Sequence, residues 1–209
     1  MAKNRTKTKG IFCLEDDWWG TMKKPSSVEP ILHLLNQWDP YYVPYIHRNT
    51  PTRAALTYYL KKWMQQEYKR YPILYLAFHG TPGCIHLGDG RSSESEVSLD
   101  WLEGELWGKC NGRIIYFDAC STLKINGNRL NSFLTNTGAL AVCGYKGDVN
   151  WLRSTAFDLL VFAAMQDFAL NVRGAEAMKR RIGRDACGLS DDLEFRMVIR
   201  KDGAKVRRR

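Results

Sequence analysis

The chain reads as an α/β protein, a three-layer α/β/α sandwich on a central, mostly parallel sheet of about six strands, and three observations predict it. Short apolar runs of β type alternate with segments of helical period along most of the chain. Two of those runs, PILYLAFHG at 72–80 and RIIYFDAC at 113–120, are apolar on both faces, as strands covered by helices on either side must be. The 209 residues can bury one sizeable core, with 44% hydrophobic and 12% aromatic residues and no composition break to mark a second.

The first strand is predicted at GIFCLED, residues 10–16. Ser26 and Ser27 offer an N-cap to VEPILHLLNQW, where Ile31, Leu34, Leu35 and Trp38 recur at helical spacing and Pro40 stops the element. YYVPYIHR at 41–48 reads as a strand that Pro44 pushes to an edge, because proline cannot donate to a ladder. Thr50-Pro51 opens a helix to about Lys69, with Ala55, Tyr58, Tyr59, Trp63 and Met64 on one face, and this helix feeds the strand at 72–80. Residues 81–97, rich in Gly, Ser and Pro around the short run Cys84–Leu87, predict a hairpin or mobile loop. A helix from about Leu99 to Lys109 leads to the strand at 113–120. Beyond it come a short helix near Arg129–Asn136, a strand ALAVCGY at 139–145, and a helix from about Trp151 to Ala169 that is apolar nearly all round. A basic helix at about 174–183 and a strand LEFRMVIR at 193–200 complete the pattern. The expected organisation is a flexible start at 1–9, one domain at 10–203 and a basic tail at 204–209.

No apolar stretch approaches the ~20 residues of a membrane span, and no signal-peptide pattern opens the chain, so a soluble cytoplasmic protein without a membrane partner is expected. The six cysteines, at 13, 84, 110, 120, 143 and 187, form no CxxC pair, and several sit in apolar runs. Free thiols in a reducing compartment follow, rather than a disulfide framework. The net charge of +9 is concentrated, because residues 171–209 hold 12 Lys/Arg against 6 Asp/Glu. Such a C-terminal third can touch nucleic acid or an acidic partner, but a solvated charge run is its commoner use and is the reading preferred here.

Two of the most apolar strands end in reactive side chains, His79-Gly80 and Asp118-Ala119-Cys120, and functional crevices of open α/β sheets lie at the carboxyl ends of strands. If the strands are neighbours, about 4.8 Å apart, an imidazole and a thiol can act on one bound carbonyl. A free thiol of pKa about 8.5 is mostly protonated at neutral pH, so Cys120 as nucleophile needs His79 to take its proton and later return it to the leaving amine. The backbone N–H groups of Gly80 and Cys120 are candidate oxyanion donors, and the missing side chain at Gly80 admits the substrate carbonyl. A lone cysteine or histidine at a strand end is usually structural; the pair at matching ends is what favours catalysis.

These paired motifs, an apolar strand ending in His-Gly and another ending in Asp-Ala-Cys, resemble the catalytic signatures of clan CD cysteine peptidases: caspases, metacaspases, prokaryotic caspases and CHAT-type proteases. ALAVCGYKGDVNW resembles the strand and loop that follow the nucleophile in CHAT proteins. The resemblance covers roughly residues 10–170 and implies a caspase-like sandwich with a C-terminal antiparallel strand, and peptide-bond hydrolysis by Cys120 and His79 without a cofactor. It also implies that Asp118, where caspases carry Gln, lies in the pocket for the residue before the scissile bond. Glu15, Asp16 and Asp17 follow the first strand where caspases that cut after Asp place an arginine, and Asp148 lies in the loop after 145. Asp118, Asp16, Asp17 and Asp148 together imply cleavage of protein substrates after Arg or Lys, although taken singly Glu15, Asp16 and Asp17 read as a solvated loop. Enzymes of this kind often act as restrained effectors in antiphage defence or cell death, which implies a regulatory protein partner or dimerisation.

Two alternatives of other classes are a catalytically inactive caspase-like interaction module and a basic nucleic-acid-binding protein. A metal site from Cys84, His86, His79 and Cys120 has only one close pair, C-x-H, and no metal is expected. Trp18, Trp19, Tyr41 and Tyr42 form a candidate stacking surface, with core or rim packing the commoner role. Walker, Rossmann, HExxH and GxSxG motifs are absent from the sequence.

Overall fold

A computed structural model of the protein describes residues 8–19, 23–24, 26–88 and 95–201. The tail 204–209 and most of the segment 1–9 therefore lie outside the described residues. Lys9 is buried, and its Nζ donates to the Gln166 carbonyl at 2.9 Å.

Six strands build the main sheet: β1 (Ile11–Glu15), β2 (Tyr45–Asn49), β3 (Ile73–Ala77), β7 (Ile114–Asp118), β8 (Ala141–Tyr145) and β9 (Phe195–Ile199). Their order is β2-β1-β3-β7-β8-β9, parallel except for β9, which runs antiparallel to β8. Side chains alternate between the two faces of each strand, so every central strand feeds two cores. On one face Ile11, Cys13, Ile73, Tyr75, Ile114, Tyr116 and Cys143 pack beneath α1 (Glu29–Gln37), α5 (Trp151–Gln166) and α6 (Val172–Asp185). On the other, Phe12, Leu14, Leu74, Leu76, Ile115 and Phe117 pack beneath α2 (Arg53–Trp63), α3 (Leu99–Leu106) and α4 (Gly127–Thr137). The result is the expected three-layer sandwich.

Three departures have local causes. The helix expected to run to Lys69 ends at Trp63, followed by a separate 3-10 turn at Gln66–Tyr68 after an extended Gln65; its N-cap is Thr52, whose hydroxyl accepts from Ala55 N–H at 3.2 Å. Val28, not Ser26 or Ser27, is the N-cap of α1, while Ser27 Oγ accepts from Glu29 N–H at 3.0 Å. The strand expected at 72–80 leaves the main sheet after Ala77, because β1 ends at Glu15 and β7 at Asp118, so no parallel partner remains. His79–Thr81 (β4) instead pairs with Cys84–His86 (β5), and that with Glu96–Ser98 (β6), in a small antiparallel sheet. The hairpin expected within 81–97 is this sheet's β5 and β6, with 89–94 outside the described residues. A short helix α7 (Cys187–Asp192), unforeseen from the sequence, precedes β9. Among the described residues no helix is long and apolar enough to cross a membrane.

Candidate active site

The register of the central strands brings the two reactive segments together. Ala77 pairs with Asp118, so His79 and Cys120 each stand two residues beyond the same rung of the ladder. Phe78 N–H donates to the Asp118 carbonyl at 3.0 Å, which carries the alignment past the strand ends. A Cβ at Gly80 would stand 2.3 Å from Thr122 Oγ1 and 2.7 Å from the Cys120 carbonyl oxygen. Only glycine therefore lets the histidine segment press onto the cysteine loop.

His79 is exposed, and its Nε2 lies 2.7 Å from the Trp18 carbonyl. A carbonyl can only accept, so Nε2 carries the proton, and in the neutral ring Nδ1 keeps the lone pair. The Trp18 ring meets the imidazole edge-on, centroids 5.6 Å apart. Trp18 is itself held from behind: its indole N–H donates to Glu15 Oε1 at 2.6 Å. Glu15 also accepts from Val28 N–H at 2.8 Å, and from Ser27 Oγ and His47 Nε2 at 2.6 Å each. A carboxylate at the end of β1 thus ties the loop after β1, the start of α1 and strand β2 to the position of the imidazole.

Cys120 is half-buried, with Val149 N–H pointing at Sγ from 3.4 Å. Burial raises the thiol's pKa, the Val149 N–H opposes, and Asp148 and Asp118 raise it further, so the sulfur keeps its proton until a base removes it. The loop after β7 is laced to the loop after β8. Ser121, in the left-handed region at φ 54°, donates its N–H to Gly147 O at 2.9 Å and its hydroxyl to Asp148 Oδ1 at 2.8 Å, and Leu123 N–H reaches Tyr145 O at 2.9 Å.

The acidic residues fall into different settings. Asp148 is exposed beside Cys120 with one oxygen committed to Ser121, and Asp17 is exposed in the loop after β1. Asp16 is buried and accepts from Asp17 N–H at 2.8 Å and from Gly88 N–H. Desolvation raises its pKa, while those two N–H groups oppose. Glu15 and Asp16 are therefore not the solvated loop expected of them singly; they are buried anchors for the strand-end turns. Asp118 is also buried, 1% exposed, with Tyr75 Oη 3.0 Å from its Oδ2.

Sequence reasoning missed three features. The Trp18 carbonyl and the Val149 N–H are backbone atoms that no residue type announces. The third is a buried polar cluster in which Asp158 of α5 accepts the hydroxyls of Tyr75, Tyr116 and Tyr145. An aspartate in the otherwise apolar centre of a helix and tyrosines in three fully apolar strands were its signal, since a buried phenol or carboxyl needs a partner.

Cys84 donates to Glu96 at 3.4 Å and His86 Nε2 lies 2.9 Å from Thr81 Oγ1; among the described residues no group of three His, Cys, Asp or Glu is arranged to hold a metal ion. Trp19 bonds Ser26, and Tyr41 bonds Asp167 and packs on Trp38.

The architecture is that of a caspase-like α/β/α sandwich. The chain is similar to caspase-1 from Spodoptera frugiperda, with a TM-score of 0.54 over 96% of this chain and 90% of that chain, at 10% sequence identity. So low an identity carries the fold and not the activity. The chain belongs to a family described as a family of unknown function (DUF6642), whose model matches residues 8–198. No curated protein matches it.

Proposed function

We propose that the protein is a cysteine endopeptidase in which Cys120 is the nucleophile and His79 the acid/base. The observation that carries this is the Trp18 carbonyl on His79 Nε2, 2.7 Å away, at the strand end level with Cys120. A histidine with no task beyond packing does not need its tautomer fixed with the basic nitrogen left free; a general base does. The thiol proton passes to His79 Nδ1 as Sγ adds to the scissile carbonyl carbon. The oxyanion is met by the N–H groups of Gly80 and Cys120, and collapse expels the amine with the proton from His79, leaving a thioester. Water, deprotonated by His79, then cleaves the thioester and restores the thiol. Because burial keeps Cys120 protonated at rest, base-assisted attack supports this sequence better than a preformed ion pair does.

Asp17 and Asp148, exposed on the strand-end loops, with Asp16 and Asp118 buried near them, support a reading that includes cleavage of protein substrates after Arg or Lys. Restraint by a protein partner or by dimerisation, and service as an effector in antiphage defence or cell death, complete the proposal. Incubating cell lysate with the wild type and with Cys120→Ala, and mapping new N-termini, tests it. The expected result is cuts after basic residues that vanish in the variant. Cuts that persist in Cys120→Ala, or no cuts under any condition with oligonucleotide binding that weakens with salt, would replace the enzyme with one of the two non-enzymatic readings.

A further inference from the structure

The helix α5 reads in the sequence as apolar nearly all round, a pattern that belongs to a helix covered on every side. The structure covers it only in part. Between Arg153 and Asp167 its polar side chains, Ser154, Thr155, Asp158 and Gln166, are all buried, and the side chains left at the surface are Ala156, Leu159, Leu160 and Ala163. Leu160 is 44% exposed, and Leu152, which extends the stripe, is 67% exposed. Beside it α1 adds Leu34, 53% exposed, and the half-buried Trp38. The two helices enclose a hollow of about 500 Å3 lined by Leu34, Leu35, Trp38, Leu159 and Ala163 together with Gln37. A continuous apolar patch of this kind marks a surface that another molecule covers.

The stripe is symmetric about its own middle. Ala156 and Ala163 stand equally far on either side of the Leu159–Leu160 step, and so do Leu152 and Asp167. Its two ends carry opposite charge, each in the unfavourable place for α5 itself: Arg153 lies in the first turn, at the positive end of the helix dipole, and Asp167 is the C-cap, at the negative end. Within the chain Arg153 pairs with Asp192 at 2.5 Å and Asp167 with Arg181 at 3.5 Å, exposed pairs that contribute little. A copy of α5 laid antiparallel on the first, about a two-fold axis at the Leu159–Leu160 step, reverses both penalties. The Arg153 end of one helix then meets the Asp167 end of the other, twice, and the leucines at the centre cover their own counterparts. A two-fold contact requires a surface that complements itself, and an apolar centre between opposite charges does so. A lipid surface makes no use of that order of charges.

We infer that a second copy of this chain covers this face, with α5 packed antiparallel on α5 and α1 at its flank. The inference deepens the dimerisation included in the proposed function by naming its surface, and it rests on that part of the reading and not on the chemistry of Cys120.

Sedimentation of the full chain carrying Cys120→Ala reads the oligomeric state apart from any proteolysis. A concentration-dependent equilibrium of monomer and dimer is expected. Leu160→Asp should weaken the dimer about 100-fold, because each new charge meets its counterpart across the axis, while an unchanged urea midpoint shows that the variant folds. Tyr58→Asp, at a site 56% exposed on α2 over the opposite face of the sheet, should leave the dimer intact. Arg153→Asp and Asp167→Arg should each weaken it about fivefold, and the two together should restore it, which only a contact between copies predicts. A protein that stays monomeric at every concentration, or a dimer indifferent to Leu160→Asp, overturns the inference. So does a monomer that binds neutral phosphatidylcholine vesicles and loses them in Leu160→Asp, since a membrane is then the occupant. Proteolysis by the wild type could stand in each of those cases, whereas a dimer broken by Leu160→Asp in a chain that cleaves nothing would defeat the peptidase reading and leave the interface.

Discussion

The two faces of the central sheet are built from the same strands and do different work. The face under α2, α3 and α4 is dry and apolar, its strand positions filled by Phe12, Leu14, Leu74, Leu76, Ile115, Phe117 and Val142. The face under α1, α5 and α6 is just as buried but holds Cys13, Glu15, Tyr75, Tyr116, Asp118, Cys143 and Tyr145 against Asp158. A buried polar cluster adds little net stability over a well-packed apolar core, and each group costs heavily if left unpaired. The apolar face makes the sheet rigid, while the polar face sets charge and hydrogen bonding beneath the edge where His79 and Cys120 emerge.

That division can be broken by substitution, starting on the apolar side. Phe117→Ala leaves a cavity against Phe133 and should cost about 3–5 kcal/mol, read as a fall in the urea midpoint. Surviving activity should track only the folded fraction; a specific kinetic defect in the folded protein would mean that this face is not merely scaffold. Glu15→Gln, on the polar side, should act on the chemistry of the folded protein as well. Loosening Trp18 frees the carbonyl that holds His79, so kcat of the folded protein should drop about 10²-fold, near 2.7 kcal/mol, with KM unchanged, in addition to the stability lost where a buried acceptor of four donors is altered. An unchanged kcat in the folded fraction would reduce Glu15 to a structural anchor.

The pH dependence of stability sharpens the contrast. Asp118 and Asp158 both have folded pKa values raised above the unfolded value of about 4, so between those limits the native state binds more protons than the unfolded chain. Their contribution is greatest near pH 4 and is lost as pH rises, through about 6 for Asp158 and beyond for Asp118, at up to about 1.4 kcal/mol per pH unit per group. Denaturation midpoints measured across this range should decline in the wild type and flatten in Asp118→Asn; parallel profiles would show that the pair does not titrate as described. The smallest effect expected is that of Tyr116→Phe, which removes one hydroxyl from Asp158 for about 1 kcal/mol, whereas the same deletion at Tyr75 also cuts the bridge to Asp118.

Much of this was legible in the chain. Apolar runs on both faces, as in ILYLA and IIYFD, can belong only to strands covered on both sides, and the helical periods between them make the crossovers. His79 and Cys120 stood out because they end such strands. The extent of the strand before His79 was misjudged, since residues 72–80 read as one apolar run, and only the end of both neighbours shows why it breaks at Phe78.

Local pattern therefore determined the layers and most of the elements and singled out His79 and Cys120 as candidates, because periodicity and turn chemistry act between residues close along the chain. What met what was decided only in three dimensions. Tyr75 reaches Asp158 across 83 residues and His79 reaches the Trp18 carbonyl across 61, and no spacing in a sequence encodes such contacts. They depend on strand order and register, which place residues from distant parts of the chain on one rung. That is also why the aspartates, alike as letters, differ as groups: Asp148 faces solvent, Asp16 anchors a turn, and Asp118 and Asp158 sit in a desolvated cluster that raises the pKa of both.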